Sequence, residues 1–83
     1  MAILNITYDG RSATLPAELD GRLSDDEIRR IAVEVVRTGG LPGLVDRGLR
    51  SSAFNHFVVD RIHDDAGTLR LYLRPKVPFG QGR

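Results

Sequence analysis

The sequence predicts a small α+β domain in which two β-hairpins flank one helix, in the order ββαββ. Three observations lead to this prediction. An Asp9-Gly10 pair separates two short alternating segments near the N-terminus, and a segment with helical periodicity begins at Ser24. A third alternating segment, Thr68 to Arg74, carries a leucine at every second position. Because period two is typical of half-buried strands and period 3.6 of helices, these segments indicate a hairpin, a helix and a second hairpin.

The first predicted hairpin pairs residues 3–8 with residues 11–15. Apolar and polar side chains alternate along its first strand: Leu4, Ile6 and Tyr8 against Asn5 and Thr7. Asp9-Gly10 favours a type I′ turn, because both central residues of that turn have positive φ. The return strand is expected to place Ala13 and Leu15 toward the core. It should end at Pro16, because proline cannot donate a hydrogen bond to a strand ladder.

The predicted helix begins after Ser24 and ends at Gly39-Gly40. Ser24 and Glu27 have the spacing of a capping box, in which each side chain accepts from the backbone N–H of the other residue. The two glycines favour a left-handed helix end. Periodicity predicts an apolar stripe of Ile28, Ile31, Ala32 and Val35, and a solvent face of Arg29, Arg30, Glu34 and Arg37.

The segment after the helix allows several local structures. Residues 45–52 are compatible with a loop, a short 3₁₀ turn or a further helical turn, with Leu44, Val45 and Leu49 against the core. A third strand is predicted from Phe54 to Ile62, because it contains a continuous apolar run.

The last strand is predicted from Thr68 to Arg74, after a polar hairpin loop from His63 to Gly67. Its alternation directs Leu69, Leu71 and Leu73 toward the core and Arg70, Tyr72 and Arg74 toward solvent. Pro75 should end the pairing. The expected division is therefore a domain of residues 1–75 followed by a flexible tail of residues 76–83.

Composition excludes several classes of protein. The chain of 83 residues has no cysteine, and therefore no disulfide, thiolate metal site or cysteine nucleophile. It has no apolar segment of about 20 residues and no signal peptide, so no membrane partner is predicted and a cytoplasmic location is expected. Its net charge of +1 is too small for a dedicated nucleic-acid binder. Residues 49–83 nevertheless carry a net charge of +3, which fits ordinary solvated surface or a basic face for an acidic partner.

No pattern in the sequence predicts catalysis, a metal or a cofactor. His56 and His63 lie near Asp60, Asp64 and Asp65, but their spacing matches no zinc or calcium motif. A basic sheet face with Tyr72 as its only aromatic ring offers little for nucleic-acid stacking. We therefore expect a non-enzymatic protein that acts through other proteins.

The last strand resembles that of ubiquitin-like proteins. Thr68, Leu69, Leu71, Leu73 and Arg74 coincide with residues of the last strand of ubiquitin, TLHLVLRLRGG. The Gly-Leu-Pro turn at residues 40–42 is similar to the Gly-Ile-Pro turn that follows the ubiquitin helix. The order of the predicted elements resembles ubiquitin over the whole chain, whereas similar residues are confined to these two segments. It implies a β-grasp fold: a four-stranded mixed sheet with its first and last strands parallel at the centre and one helix packed across it.

The resemblance also implies a function, that of a ubiquitin-like modifier of a bacterial type. Its tail would enter an adenylating enzyme and a conjugating enzyme, and its terminal glycine carboxylate would be joined to a protein target. Because the sequence reads Gly80-Gln81-Gly82-Arg83, a peptidase would first expose Gly80 or Gly82. The expected partner-binding residues are Arg70, Tyr72, Arg74, Lys76, Val77, Pro78 and Phe79.

Two alternatives remain open at this point. A β-grasp interaction module that is never conjugated, such as an adaptor or a subunit of a larger assembly, would use the tail only as a docking peptide. A small sulfur carrier of the same fold would also need an exposed terminal glycine.

Overall fold

The alternating apolar residues of the first and last strands meet at the centre of one four-stranded sheet. A computed structural model of the chain describes residues 1–76. Its elements are β1 (Ala2–Tyr8), β2 (Arg11–Leu19), α1 (Asp25–Thr38), β3 (Val58–His63) and β4 (Leu69–Arg74). The strand order is β2-β1-β4-β3, with β1 parallel to β4 and both outer pairs antiparallel. This arrangement is the predicted β-grasp.

The parallel pair at the centre of the sheet forms the middle of the core. Leu4 lies opposite Leu71 and Ile6 opposite Leu73, and all four side chains are fully buried. Leu69 is half-buried and packs against the same cluster. The predicted pairing of the first and last strands, and the inward face of β4, are therefore confirmed.

The first hairpin has the predicted turn but a longer second strand. Asp9 and Gly10 have φ of 52° and 74°, as a type I′ turn requires. The prediction that Pro16 ends β2 is wrong, because β2 continues to Leu19. The ladder register shifts between Ile3 and Asn5, which places Pro16 in an irregularity on an edge strand, where no neighbouring strand needs its N–H.

Both ends of α1 are formed as predicted. Ser24 Oγ accepts from Glu27 N at 3.1 Å, and Glu27 Oε1 accepts from Ser24 N at 2.8 Å. These bonds satisfy two of the backbone N–H groups that every helix N-terminus leaves unpaired. Gly39 ends the helix with φ of 80°, a left-handed conformation in which a Cβ would be strained.

The buried stripe of α1 differs from the predicted one. The helix buries Ile28, Ala32, Val33 and Val36, whereas Ile31 and Val35 are only half-buried. The prediction that Ile31 belongs to the central core is therefore wrong, whereas half-buried Val35 packs against the core cluster as predicted. The apolar residues of α1 cover a wide arc, and the position of the sheet, which the sequence does not give, selects the part that is buried. Within residues 1–76, no helix is long and apolar enough to cross a membrane.

Two arginines of α1 that were predicted to face solvent instead bind backbone carbonyls of the segment that connects α1 to β3. Arg29 donates from Nε and Nη2 to Phe57 O at 3.0 and 2.9 Å. Arg37 donates from Nε to Leu49 O at 2.6 Å. Both side chains are partly covered, and each satisfies a carbonyl that regular structure leaves unpaired.

The connection from residue 41 to residue 57 consists of turns that pack onto the core. Leu41, Leu44, Leu49 and Phe54 are buried, but Val45 is 52% exposed, contrary to the prediction. β3 begins at Val58 rather than at Phe54, because the preceding residues form a turn closed by a bond from Phe57 N to Phe54 O of 3.0 Å. The Phe54 ring meets Tyr8 and Phe57 edge to face, at centroid distances of 5.6 and 4.8 Å.

Candidate functional site

The face of the sheet opposite α1, here called the outer face, carries the predicted partner-binding residues of β4. Strand pairing sets one row across the sheet from Ile62 through Arg70 and Ile3 to Glu18. The next row runs from Asp60 through Tyr72 and Asn5 to Thr14. Arg70, Tyr72 and Arg74 share this face because alternate residues of a strand point the same way.

The arginines of the outer face are paired with aspartates. Arg70 Nε lies 2.9 Å from Asp64 Oδ2, and Arg74 Nε lies 2.6 Å from Asp60 Oδ2. The hydrogen bond from Arg70, with further bonds from the backbone N–H groups of Thr68 and Ala66, lowers the pKa of Asp64. The outer face is therefore a set of neutralised pairs rather than the unpaired basic surface that the sequence suggested.

Apolar groups lie between these ion pairs. Ile62 is 53% exposed and stands beside Arg70, with half-buried Ile3 on the other side of that arginine. A cavity of about 220 Å³ adjoins Ile3 at the irregularity of β2. Its lining is mainly apolar and comprises Ile3, Thr14, Leu15, Pro16, Ala17 and Glu18.

The exposed position of Ile62 was not predicted from the sequence, in which the residue is the last of the predicted third strand. The hairpin register contained the needed signal, because residues directly opposite each other in an antiparallel pair share a face. With Ile62 opposite the solvent-facing Arg70, its side chain belongs on the outer face.

The last strand ends at the residue that the sequence predicted. β4 ends at Arg74, and both Pro75 and Lys76 are exposed. Lys76 lies beside Phe57, Val58 and Val59, where it lines a groove next to β3. The remaining candidates, Val77, Pro78, Phe79, Gly80 and Gly82, lie outside the described residues.

The two histidines are not brought together with a set of metal ligands. His56 is exposed in the turn before β3, and His63 is exposed at the end of that strand. Asp64 is engaged by Arg70, and Asp60 by Arg74. In the part of the chain that the structure describes, no group of three or more His, Cys, Asp or Glu could hold a metal ion.

Comparison of the chain with models of protein families, with curated proteins and with solved structures gives no match. The likeness to ubiquitin-like proteins therefore depends on the residues of β4, the turn after α1 and the β-grasp arrangement itself.

Proposed function

We propose that this protein is a bacterial-type ubiquitin-like modifier that acts in the cytoplasm and is joined to protein targets through its tail. The observation that carries the proposal is the course of β4. This strand is bonded on both sides, to β1 and to β3, and leads directly into exposed Lys76 and the segment with Gly80 and Gly82. A tail that leaves from a central strand can be pulled into a partner enzyme without detaching an edge of the sheet.

The chemistry of the proposal requires a carboxylate at a glycine. A peptidase would hydrolyse the amide bond between Gly80 and Gln81, leaving the Gly80 carboxylate and releasing the segment that begins at Gln81. An adenylating enzyme would transfer AMP from ATP to that carboxylate with release of pyrophosphate. A nucleophile of the target would then attack the acyl adenylate and displace AMP. Alternatively, a nucleophile of the conjugating enzyme would displace AMP first and would itself be displaced by the target nucleophile. Glycine suits the reacting position because it has no Cβ to limit the approach of an enzyme to the backbone. Gly82 is the second candidate.

The outer face supplies a docking surface for the enzymes that handle the tail. Ile62 and Tyr72 offer apolar contact, and the pairs of Arg70 and Arg74 set polar groups around them. Interfaces commonly combine an apolar centre with a polar rim. The outer face includes alternate residues of β4, and the tail follows the end of that strand, so an enzyme bound on the face is close to the start of the tail.

The test is the intact mass of the chain after co-expression with its genomic neighbours. The proposal predicts loss of Gln81–Arg83 and the appearance of conjugates of higher mass. Truncation before Gly80 should abolish the conjugates, whereas a chain ending at Gly80 should form them without the peptidase. A chain of unchanged mass in every preparation, with active neighbours present, would refute the proposal.

A non-conjugated interaction module is the second candidate. It is favoured by the exposed side chain of Ile62 and by the apolar cavity next to Ile3, which form a binding surface that needs no processing. A partner that binds the 83-residue chain, with no conjugate formed and the mass of the chain unchanged in the complex, would support the module instead.

A further inference from the structure

The two edges of the sheet differ in their protection against pairing with another strand. The edge formed by β2 is interrupted by Pro16 and by the register shift opposite Leu4. The edge formed by β3 keeps a continuous register with β4 from Val58 to His63 and contains no proline. Since regular, uncovered edge strands accept further strands, β3 is the edge at which one can be added.

The hydrogen-bond phase of β3 identifies the backbone groups that face away from the sheet. The second hairpin is closed by a bond from Asp64 N to Thr68 O of 2.9 Å. Bonded and non-bonded pairs alternate along an antiparallel ladder, so residues 58, 60 and 62 bond to β4. Val59, Arg61 and His63 then direct their N–H and C=O groups outward. None of the turn and loop backbone bonds within residues 1–76 uses these groups.

The carbonyl of Phe57, the residue directly before β3, accepts from a side chain of α1. It receives two hydrogen bonds from Arg29, at 3.0 and 2.9 Å. Arg29 therefore occupies the backbone acceptor that precedes the edge. The three outward-facing positions of β3 follow it along the chain.

A groove of about 300 Å³ lies beside this edge, between the start of β3 and the first turns of α1. Its walls include Asp25, Arg29, Phe57, Val58, Val59 and Lys76. The Arg61 side chain does not fill the groove, because its Nη2 donates to Asp25 Oδ1 at 2.6 Å and to Leu23 O at 2.9 Å. Every second side chain of an added strand would point toward this groove.

The charges around the groove favour an acidic occupant. Asp25 in the groove is already paired with Arg61, and Asp26 in the adjoining cavity is paired with Arg29. Lys76 in the groove and Arg30 in the adjoining cavity form no ion pair among residues 1–76. These two cations can be neutralised by carboxylates of a bound segment.

We propose that the outer edge of β3 binds an extended segment of a partner protein as a fifth strand, with apolar residues at alternate positions and an acidic residue at the end that lies beside the start of β3. Main-chain bonds to Val59, Arg61 and His63 supply the pairing. The groove receives the apolar side chains, and Lys76 and Arg30 lie near the acidic residue. This interaction uses the edge rather than the outer face and does not depend on conjugation of the tail.

The test uses the full ¹⁵N-labelled chain and two capped peptides, EVTVTVE and its basic counterpart KVTVTVK. Both peptides can pair as strands in either direction and place one charged residue beside the start of β3, so their difference reports charge alone. The acidic peptide should bind about threefold more tightly, the difference expected when an exposed ion pair replaces a like-charge contact. On binding, the amides of Val59, Arg61 and His63 should become protected from hydrogen exchange, while the protection of Asp60 and Ile62 stays constant.

A proline variant and its matched control test the main-chain contact. His63→Pro removes one outward-facing N–H and should weaken binding of EVTVTVE, whereas His63→Ala should bind like the natural chain. Equal affinity for the two peptides, or chemical-shift changes confined to residues of the outer face, would overturn the proposal. If the amides of Val59, Arg61 and His63 are already protected in the peptide-free chain, another segment occupies the edge, and the proposal is overturned as well. Protection that is independent of concentration would point to the chain's own residues beyond 76, and protection that rises with concentration would point to a second copy.

Discussion

Arg74 Nε donates to Asp60 Oδ2 at 2.6 Å across the β3–β4 pair, and both side chains are more than one-third exposed. This contact changes the meaning of the arginines on the last strand. From the sequence alone they are unpaired positive charges available to a partner. In the structure, an acidic partner would have to compete with an aspartate already in place.

Reversing the arginine charges should therefore affect stability as well as binding. The sequence alone suggested that Arg70→Glu with Arg74→Glu would leave the melting temperature nearly unchanged. Each new glutamate would instead face an aspartate, and the loss of two partly exposed ion pairs should lower the free energy of unfolding. Urea unfolding measures the effect. Adding Asp60→Arg to the double reversal forms one of the pairs in the opposite order and should restore part of the loss; an unchanged free energy in the double reversal would show that the pairs contribute nothing.

The centre of the core should be sensitive to loss of side-chain volume. Leu71 is fully buried opposite Leu4, so Leu71→Ala should lower the free energy of unfolding by ~2–5 kcal/mol. That range is comparable with the whole stability of many small domains. Ile62→Ala on the outer face is the matched control and should cost under about 1 kcal/mol, because that side chain is half exposed. Similar costs at the two positions would contradict the assigned faces of β3 and β4.

Local signals in the sequence predicted the parts of the fold that depend on local geometry. The Asp9-Gly10 turn and the Ser24–Glu27 capping box each involve a few neighbouring residues, and both form as expected. The alternation of β4 was equally decisive, because a shift by one residue would bury Arg70 and expose Leu71.

The parts that were missed depend on where one element lies against another. Pro16 could remain in β2 because that strand is an edge, and the strand order is not a local property. The Arg29 side chain does not face solvent as predicted, because it binds the carbonyl of Phe57, a loop residue 28 positions further along the chain. For the candidate site, the sequence predicted which residues of β4 face outward. It did not predict the exposure of Ile62 or the aspartate partners of Arg70 and Arg74, which only the strand pairing reveals.

The turn before β3 should contribute to stability through a side chain that the sequence placed in a strand. Phe54 is 1% exposed and packs on Tyr8, so Phe54→Ala should cost ~3–5 kcal/mol. Phe54→Leu keeps most of the volume and should cost less than about 1.5 kcal/mol. A double-mutant cycle with Tyr8→Leu should give a coupling of about 0.5–1.5 kcal/mol for the edge-to-face contact. A coupling near zero would show that the two rings do not meet in solution.

The second hairpin should weaken in acid. Because hydrogen bonds to the charged carboxylate lower the pKa of Asp64 in the folded protein, its contribution is complete above the unfolded pKa of about 3.9 and is lost as the pH falls through the lower folded value. Asp64→Asn keeps an acceptor for the turn but removes the charge. The difference in melting temperature between the natural chain and this variant should therefore shrink below about pH 4. In an Arg70→Gln background, the difference in melting temperature caused by Asp64→Asn should depend less on pH. An equal pH dependence in both backgrounds would contradict Arg70 as the partner of Asp64.

The position of the proposed bond to a target can be read directly after tryptic digestion. Trypsin cleaves after Lys76, so a target lysine joined to Gly80 would retain the remnant Val-Pro-Phe-Gly, residues 77–80. Joining through Gly82 would leave Val-Pro-Phe-Gly-Gln-Gly, residues 77–82. The decisive measurement is tandem mass spectrometry of such digests from cells in which the chain and its genomic neighbours are expressed. The account predicts branched peptides carrying residues 77–80, and recovery of only the linear peptide 77–83 from cells with active neighbours would contradict it.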